Sequence, residues 1–354
     1  MSTLLLRQPG IERILVFRAL QLGDMLCATP ALRALRQAFP RAHIAWAGLP
    51  GSQALARRLR AYVDAFLEFP GLAAFPEQAA REQALPDFFR QARRGRYDVA
   101  LQMHGSGAQS NAIVAQCGAR HWGGFVPGPV QQQTGRWLAW PRHEPEPQRY
   151  LSLLRHLGIA AHDATLELPL QTRDHREAEA LARSLGLHPE RAILVHPGAR
   201  LRSRRWPAER FGAVARALRE RGWQVAVTGT PDEAPLCAVV RRMAPDTLDL
   251  CGRTTLGGMA ALAARCRLVV CNDTGMSHIA AAVRCPSVVI ASGSDPLRWA
   301  PANRALHTVL ATPVPCRPCA YEDCPIGHPC ALGVATQAVL EQALRRLPGG
   351  PDHG

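Results

Sequence analysis

The chain has 354 residues, 47% of them hydrophobic, enough apolar material to give each of two ordinary domains a core. Its 42 basic residues, all arginine, outweigh 28 acidic ones for a formal charge of +14, and the lack of lysine excludes every Schiff-base mechanism. No basic start leads into a continuous apolar block, and no run of about eighteen apolar residues occurs, so the chain reads as a cytosolic protein that crosses no membrane.

The first buried-strand pattern is RILVF at 13–17, and shortly after it a glycine and an acid open a helical stretch, LGDMLCATPALRAL. Asp24 therefore sits where a strand gives way to a helix, where a carboxylate either caps the helix or does chemistry. HIAWAG (43–48) and YDVALQ (97–102) continue the alternation. The second leads into LQMHGSGAQSN, where His104, Gly105 and Ser106 leave the strand in a loop. A polar, proline-marked zone from 141 to 190 separates this series from the next, with the boundary placed near residue 170, after ELPL. TRDHREAEALARSLG then reads as a helix with Gly186 near its C-cap. AILVH, WQVAVTG, RLVVCN and SVVIA follow as further strands. Strands spaced by helices of roughly ten to fifteen residues imply right-handed crossovers and parallel sheets covered on both faces. The class is α/β: two doubly wound Rossmann-like halves facing a central cleft at the carboxyl ends of their strands.

In RLVVCNDTGMSHIAAA a strand runs into Asp273, Thr274 and Gly275 and then a helix carrying His278. The helix N-terminus suits a phosphate and Gly275 permits close approach; the alternative is an ordinary N-cap at Asp273 or Thr274 and a packed His278. AILVHPGARLRSRRWPAERF repeats the device, with Pro207 at a first helical turn. Its arginines at 200, 202, 204 and 205 form either a phosphate clamp or solvated surface charge. The glycine-rich dinucleotide fingerprint is absent from FRALQLGDML, which argues against a nicotinamide enzyme. The arginine surplus itself reflects either base composition and solvated helix faces or a phosphate-bearing partner. No zinc-finger spacing, RNP-like strand or basic arm points to nucleic acid. Seven of the eleven cysteines are scattered through apolar surroundings as core filler. The other four, Cys316, Cys319, Cys324 and Cys330, either hold a structural zinc or stand as free, redox-sensitive thiols.

LQLGDMLCATPALRALR, HPGARLRSRRWPAERF, NDTGMSHIAAA and SDPLRWAP occur in this order, and the chain thereby resembles, over nearly its whole length, the lipopolysaccharide heptosyltransferases of glycosyltransferase family 9. The resemblance, with a cysteine-bearing tail as in heptosyltransferase II-like members, implies a GT-B fold. Residues 1–170 would bind the acceptor, 171–333 the nucleotide sugar, with a Cys-rich tail, and 334–354 would form a terminal helix able to cross back to the first domain. Asp24 corresponds to the family's catalytic acid, the general base of an inverting transfer from ADP-heptose. Asp273, Thr274, Gly275 and His278 match the donor-binding turn, and Gly198 and Ala199 the phosphate-facing backbone. Arg204 stands where many members carry lysine, a larger planar fork in place of a point charge. Glu233 falls where a ribose-binding acid is expected and Thr254 near the adenine pocket. Asp295 and Trp299 either close the donor pocket or make a structural turn. The implied partners are an ADP-sugar donor and an anionic lipid-linked glycan acceptor. The implied location is the cytoplasmic face of the inner membrane, and catalysis requires no cofactor. A relative using another nucleotide sugar for a different surface glycan remains open, as does a non-catalytic nucleotide- or zinc-binding interaction protein.

Overall fold

The computed structural model describes residues 4–73, 75, 79–129 and 135–347. The chain divides into two compact units, Met1–Leu166 and Glu167–Gly354.

The first unit carries β1 (Arg13–Phe17), β2 (His43–Gly48), β3 (Ala65–Glu68), β4 (Val99–Gln102), β5 (His121–Val126) and β6 (Trp137–Ala139). All pair in parallel, in the order β3-β2-β1-β4-β5-β6. Its helices are α1 (Leu22–Leu26), α2 (Thr29–Ala38), α3 (Gln53–Arg58), α4 (Leu85–Arg94), α5 (Ser110–Gln116) and α6 (Glu146–Leu157). The central strands are short apolar runs because both faces are covered: Ile14, Leu15, Val16 and Phe17 of β1 are all buried.

The second unit repeats the plan with β7 (Ala192–His196), β8 (Gln224–Val227), β9 (Leu248–Asp249), β10 (Leu268–Asn272), β11 (Ser287–Ile290) and β12 (His307–Leu310). These again pair in parallel, in the order β12-β11-β10-β7-β8-β9. The accompanying helices are α7 (Thr172–Leu185), α8 (Ala208–Arg219), α9 (Ala234–Met243), α10 (Leu256–Ala263), α11 (Gly275–Ala282), α12 (Pro296–Trp299), α13 (Pro329–Leu332) and α14 (Thr336–Arg346). Helix α7 starts where the Asp174 carboxylate accepts from Gln171 N, and it ends on Gly186 at φ 61°, a left-handed cap that glycine adopts without penalty.

Each sheet is a doubly wound Rossmann arrangement whose strand order reverses between two central strands, β1 and β4 in one unit, β7 and β10 in the other. Ligands of open α/β sheets bind at that reversal, beyond the carboxyl ends of the strands. The terminal helix, which by the resemblance is able to cross back to the first domain, contributes to the core of the second unit. Its Val339, Leu340 and Ala343, with Leu347 just beyond, join Trp206 and Phe211 in that unit's core.

Candidate active site

In the first unit the strand reversal is organised around one buried cation. Arg18 directly follows β1 and has no exposed surface. Its Nε and one terminal nitrogen donate to the Asp24 carbonyl at 3.0 and 2.6 Å, and the other terminal nitrogen donates to the Met103 carbonyl at 2.8 Å. Tyr150 and Glu146 of α6 complete the cage: the guanidinium donates to the Tyr150 hydroxyl and lies 3.3 Å from the Glu146 carboxylate. Burial pulls the Arg18 pKa down, but Tyr150, Glu146 and Asp24 more than offset it, so the guanidinium stays charged.

Asp24 lies in the first turn of α1, whose N-cap is Gln21. It is therefore not the residue that caps this helix. Across the reversal stands His104, which follows β4. The His104 ring is buried and stacks on Phe75 with centroids 4.3 Å apart, and its Nδ1 accepts from Ala19 N at 3.2 Å. Burial and then the Arg18 charge push its pKa down to about 3. The ring is thus neutral, its proton sits on Nε2, and it offers a hydrogen-bond donor instead of a base. Gly105 (φ 56°) and Ser106 continue the loop, which Ser110 Oγ holds by donating to the His104 carbonyl at 2.7 Å. No motif in the sequence marks Arg18, Glu146, Tyr150 or Ser110; the only trace is a charged or polar residue at the edge of an apolar run.

In the second unit Asn272, fully buried at the end of β10, ties the two central strand ends together. Its Nδ2 donates to the Pro197 carbonyl at 2.8 Å and its Oδ1 accepts from Trp206 N at 2.9 Å. Thr274 is the N-cap of α11, its hydroxyl accepting from Met276 N. Asp273 is consequently not the cap: it is buried, and its Oδ2 has no hydrogen-bond partner among the described residues. His196 Nδ1, Arg204 Nε, Ser292 Oγ and Ser294 Oγ share that condition, and these five atoms sit at the end of β7 or in the segments that follow the neighbouring strands β7, β10 and β11. Buried polar atoms left unpaired cost about 1–3 kcal/mol each, so their recurrence at adjacent strand ends makes this corner the candidate ligand site of the unit. At the N-terminus of α11, a Cβ added to Gly275 would meet nothing within 4 Å. His278 is buried on the same helix, with the Trp299 ring 6.1 Å away, edge to face. Asp295 makes the structural turn, its carboxylate accepting from Leu297 N at the start of α12.

Gly198 and Glu233 come together here, though by packing: a Cβ on Gly198 would run into the Glu233 carboxylate. That carboxylate also accepts from Thr230 N at 2.8 Å and lies 3.8 Å from His196 Nε2. Of the arginine loop, Arg200 is exposed, Arg202 is paired with Asp323 at the surface, and Arg205 Nε donates to the Ala199 carbonyl at 2.7 Å. Arg204 is half-buried, with its Nε unpaired. Thr254 lies apart, in the loop after β9, where its neighbour Thr255 caps α10.

All four C-terminal cysteines line one cavity of about 100 Å³ with His328, Ser203 and Gly293. Among the described residues no group of three His, Cys, Asp or Glu side chains is placed to hold a metal ion, these thiols included. Of the scattered cysteines six are buried, and burial pushes the Cys117 and Cys285 thiols up to about 12, as inert filler requires; Cys251 is half-buried.

Two parallel Rossmann sheets, one reversal carrying an acid and a neutral histidine and the other a helix N-terminus with unpaired polar atoms, define the class of doubly wound α/β proteins built from two such units. Comparison with known proteins narrows this. The family model described as glycosyltransferase family 9 (heptosyltransferase) matches residues 86–329. Lipooligosaccharide heptosyltransferase 2 of Haemophilus influenzae is 32% identical over 162 residues, 42% of this chain and 47% of that protein. The match thus spans about half the length of that curated relative. Among solved structures, a family 9 glycosyl transferase from Veillonella parvula superposes with TM-score 0.78 at 21% identity, covering 96% of this chain and 98% of the other. E. coli heptosyltransferase WaaC with ADP superposes with TM-score 0.69 at 18% identity, covering 95% and 100%. The chain belongs to glycosyltransferase family 9.

Proposed function

We propose that the chain is an inverting glycosyltransferase that moves heptose from ADP-heptose to the inner core of lipopolysaccharide, with Asp24 as general base. The observation that carries this reading is the set of unpaired buried polar atoms at the ends of β7, β10 and β11, Asp273 Oδ2 and Arg204 Nε among them, beside an open helix N-terminus. That corner suits a sugar diphosphate: Arg204 and the α11 N-terminus meet the phosphates, and the Asp273 carboxylate accepts from sugar hydroxyls. The ADP in the WaaC structure supports an adenosine diphosphate donor.

In the reaction the Asp24 carboxylate takes the proton of an acceptor hydroxyl while that oxygen attacks the anomeric carbon and ADP departs from the opposite face. One displacement inverts the configuration and needs one acid. Arginine charge and helix N-terminus supply the positive field for the leaving diphosphate, so no metal is required of this site. His104 offers Nε2–H to an acceptor oxygen, with Gly105 and Ser106 beside it. No helix among the described residues is long and apolar enough to cross a membrane. A charge of +14 favours an anionic lipid-linked acceptor and peripheral contact with the inner leaflet at its cytoplasmic face.

The test is transfer from ADP-heptose to heptose-deficient lipopolysaccharide, with thermal shifts against ADP, UDP, GDP and CMP. Asp24→Asn is expected to lose about 10²- to 10⁴-fold in kcat with donor KM little changed, and ADP to stabilise selectively. Selective stabilisation by UDP would overturn the donor assignment, and a wild type without transfer would leave a nucleotide-binding module.

A further inference from the structure

The cysteine-bearing segment has no part in the chemistry above, and its placement is unusual. Residues 311–328, between β12 and α13, contain no helix or strand. So long an irregular stretch inside a compact unit is uncommon and is generally functional. Its side chains are mostly exposed or half-buried, and its attachments are specific.

Those attachments converge on the arginine loop. Ser203, between Arg202 and Arg204, is buried, and its amide, hydroxyl and carbonyl all bond to this segment. Its N donates to the Glu322 carbonyl at 2.9 Å, its Oγ donates to the Tyr321 carbonyl, and its own carbonyl accepts from His328 Nε2 at 2.7 Å. Arg204 reaches the Cys319 carbonyl at 3.5 Å, and Cys319 N donates to the Gly293 carbonyl at 2.9 Å. Arg317 donates to the Ser292 and Ala291 carbonyls, both at 2.9 Å, so the segment also grips the strand end that carries the unpaired Ser292 hydroxyl. His328 itself is held at φ 59°, a left-handed conformation that a residue with a Cβ adopts only against a penalty. Backbone strain of that kind persists where the surroundings over-determine it, and here it brings the ring to Ser203.

We propose that the segment Cys316–Cys330 is the brace that sets the arginine loop for a nucleoside diphosphate, with His328 as its positioning residue. The inference rests on the donor reading of this corner. Because brace and ligand share the loop, their effects are reciprocal: ADP steadies the segment by the same factor that an intact segment tightens ADP.

Two measurements on the full chain test it. Calorimetric titration with ADP is expected to show His328→Ala weakened about fivefold to tenfold, with donor KM raised and kcat at saturating donor nearly unchanged, and His328→Gln, which keeps a donor for the Ser203 carbonyl, mostly restored. On the wild type, ADP is expected to slow alkylation of Cys319 by N-ethylmaleimide several-fold, followed on the Cys319 peptide by mass spectrometry. ADP affinity unchanged in a folded His328→Ala overturns the brace. Should that variant not fold, unchanged Cys319 labelling with bound ADP overturns it alone. A wild type that binds no ADP fails instead at the donor reading, a distinct result.

Discussion

Gly198 and Gly275 stand in matching strand-to-helix turns and are glycine for different reasons. A Cβ at Gly198 would strike the Glu233 carboxylate, whereas one at Gly275 would enter open space. Only the second position therefore separates ligand approach from packing. Gly275→Ala is expected to fold with an unchanged or raised Tm, since alanine favours the helix by up to about 1 kcal/mol. It should nevertheless lose roughly tenfold in ADP affinity, the value of one charge-assisted hydrogen bond from the helix N-terminus. Thermal melts and calorimetry on one preparation check both halves; undiminished affinity would remove the diphosphate from this turn.

At the scale of elements, the strands that the sequence shows are the ones buried on both faces. RILVF, AILVH and RLVVCN lie at the sheet centres as β1, β7 and β10. The outer strands β3, β6, β9 and β12 are partly exposed and short, so they leave no continuous apolar run, and two glycines interrupt the apolar run of β5. Helix α14 is amphipathic and legible, but its berth is not. It belongs to the second core, beside Trp206, whose Nε1 donates to the Val334 carbonyl at 3.0 Å. A chain ending before Thr336 would strip Val339, Leu340 and Leu347 from that core, each worth about 1.5–3 kcal/mol. The expected outcome is aggregation or loss of the second unit's cooperative unfolding, read by circular dichroism and gel filtration; a native-like melt would show the helix to be dispensable.

Across the whole molecule, each unit buries a neutral histidine beside a strand terminus. Burial, then Arg18, push His104 down to about 3, and burial, then Arg346 and Arg304, push His307 down to about 4. In the unfolded chain both titrate near about 6.5. Between that value and the folded ones the unfolded state binds more protons, so stability is complete above about pH 6.5 and falls as the medium is acidified toward about 4 and 3. Each histidine contributes up to about 1.4 kcal/mol per pH unit within its window. Urea midpoints measured near neutrality, at about pH 5.5 and at about pH 4.5 should fall in order, and His104→Asn should flatten the slope for the first unit. A midpoint constant over that range would show that these rings are accessible to protons.

What the sequence alone determined is local: two series of buried strands and amphipathic helices, an acid in the first helical turn, glycine and N-cap chemistry at the turn between β10 and α11. These are legible because periodicity and turn preference are carried by adjacent residues. Tertiary structure decided which polar groups meet. Arg18 finds Glu146 128 positions away and His328 finds Ser203 125 positions away. No period marks such pairs, since a buried charge or carbonyl is satisfied by whatever the closed fold brings within about 3 Å.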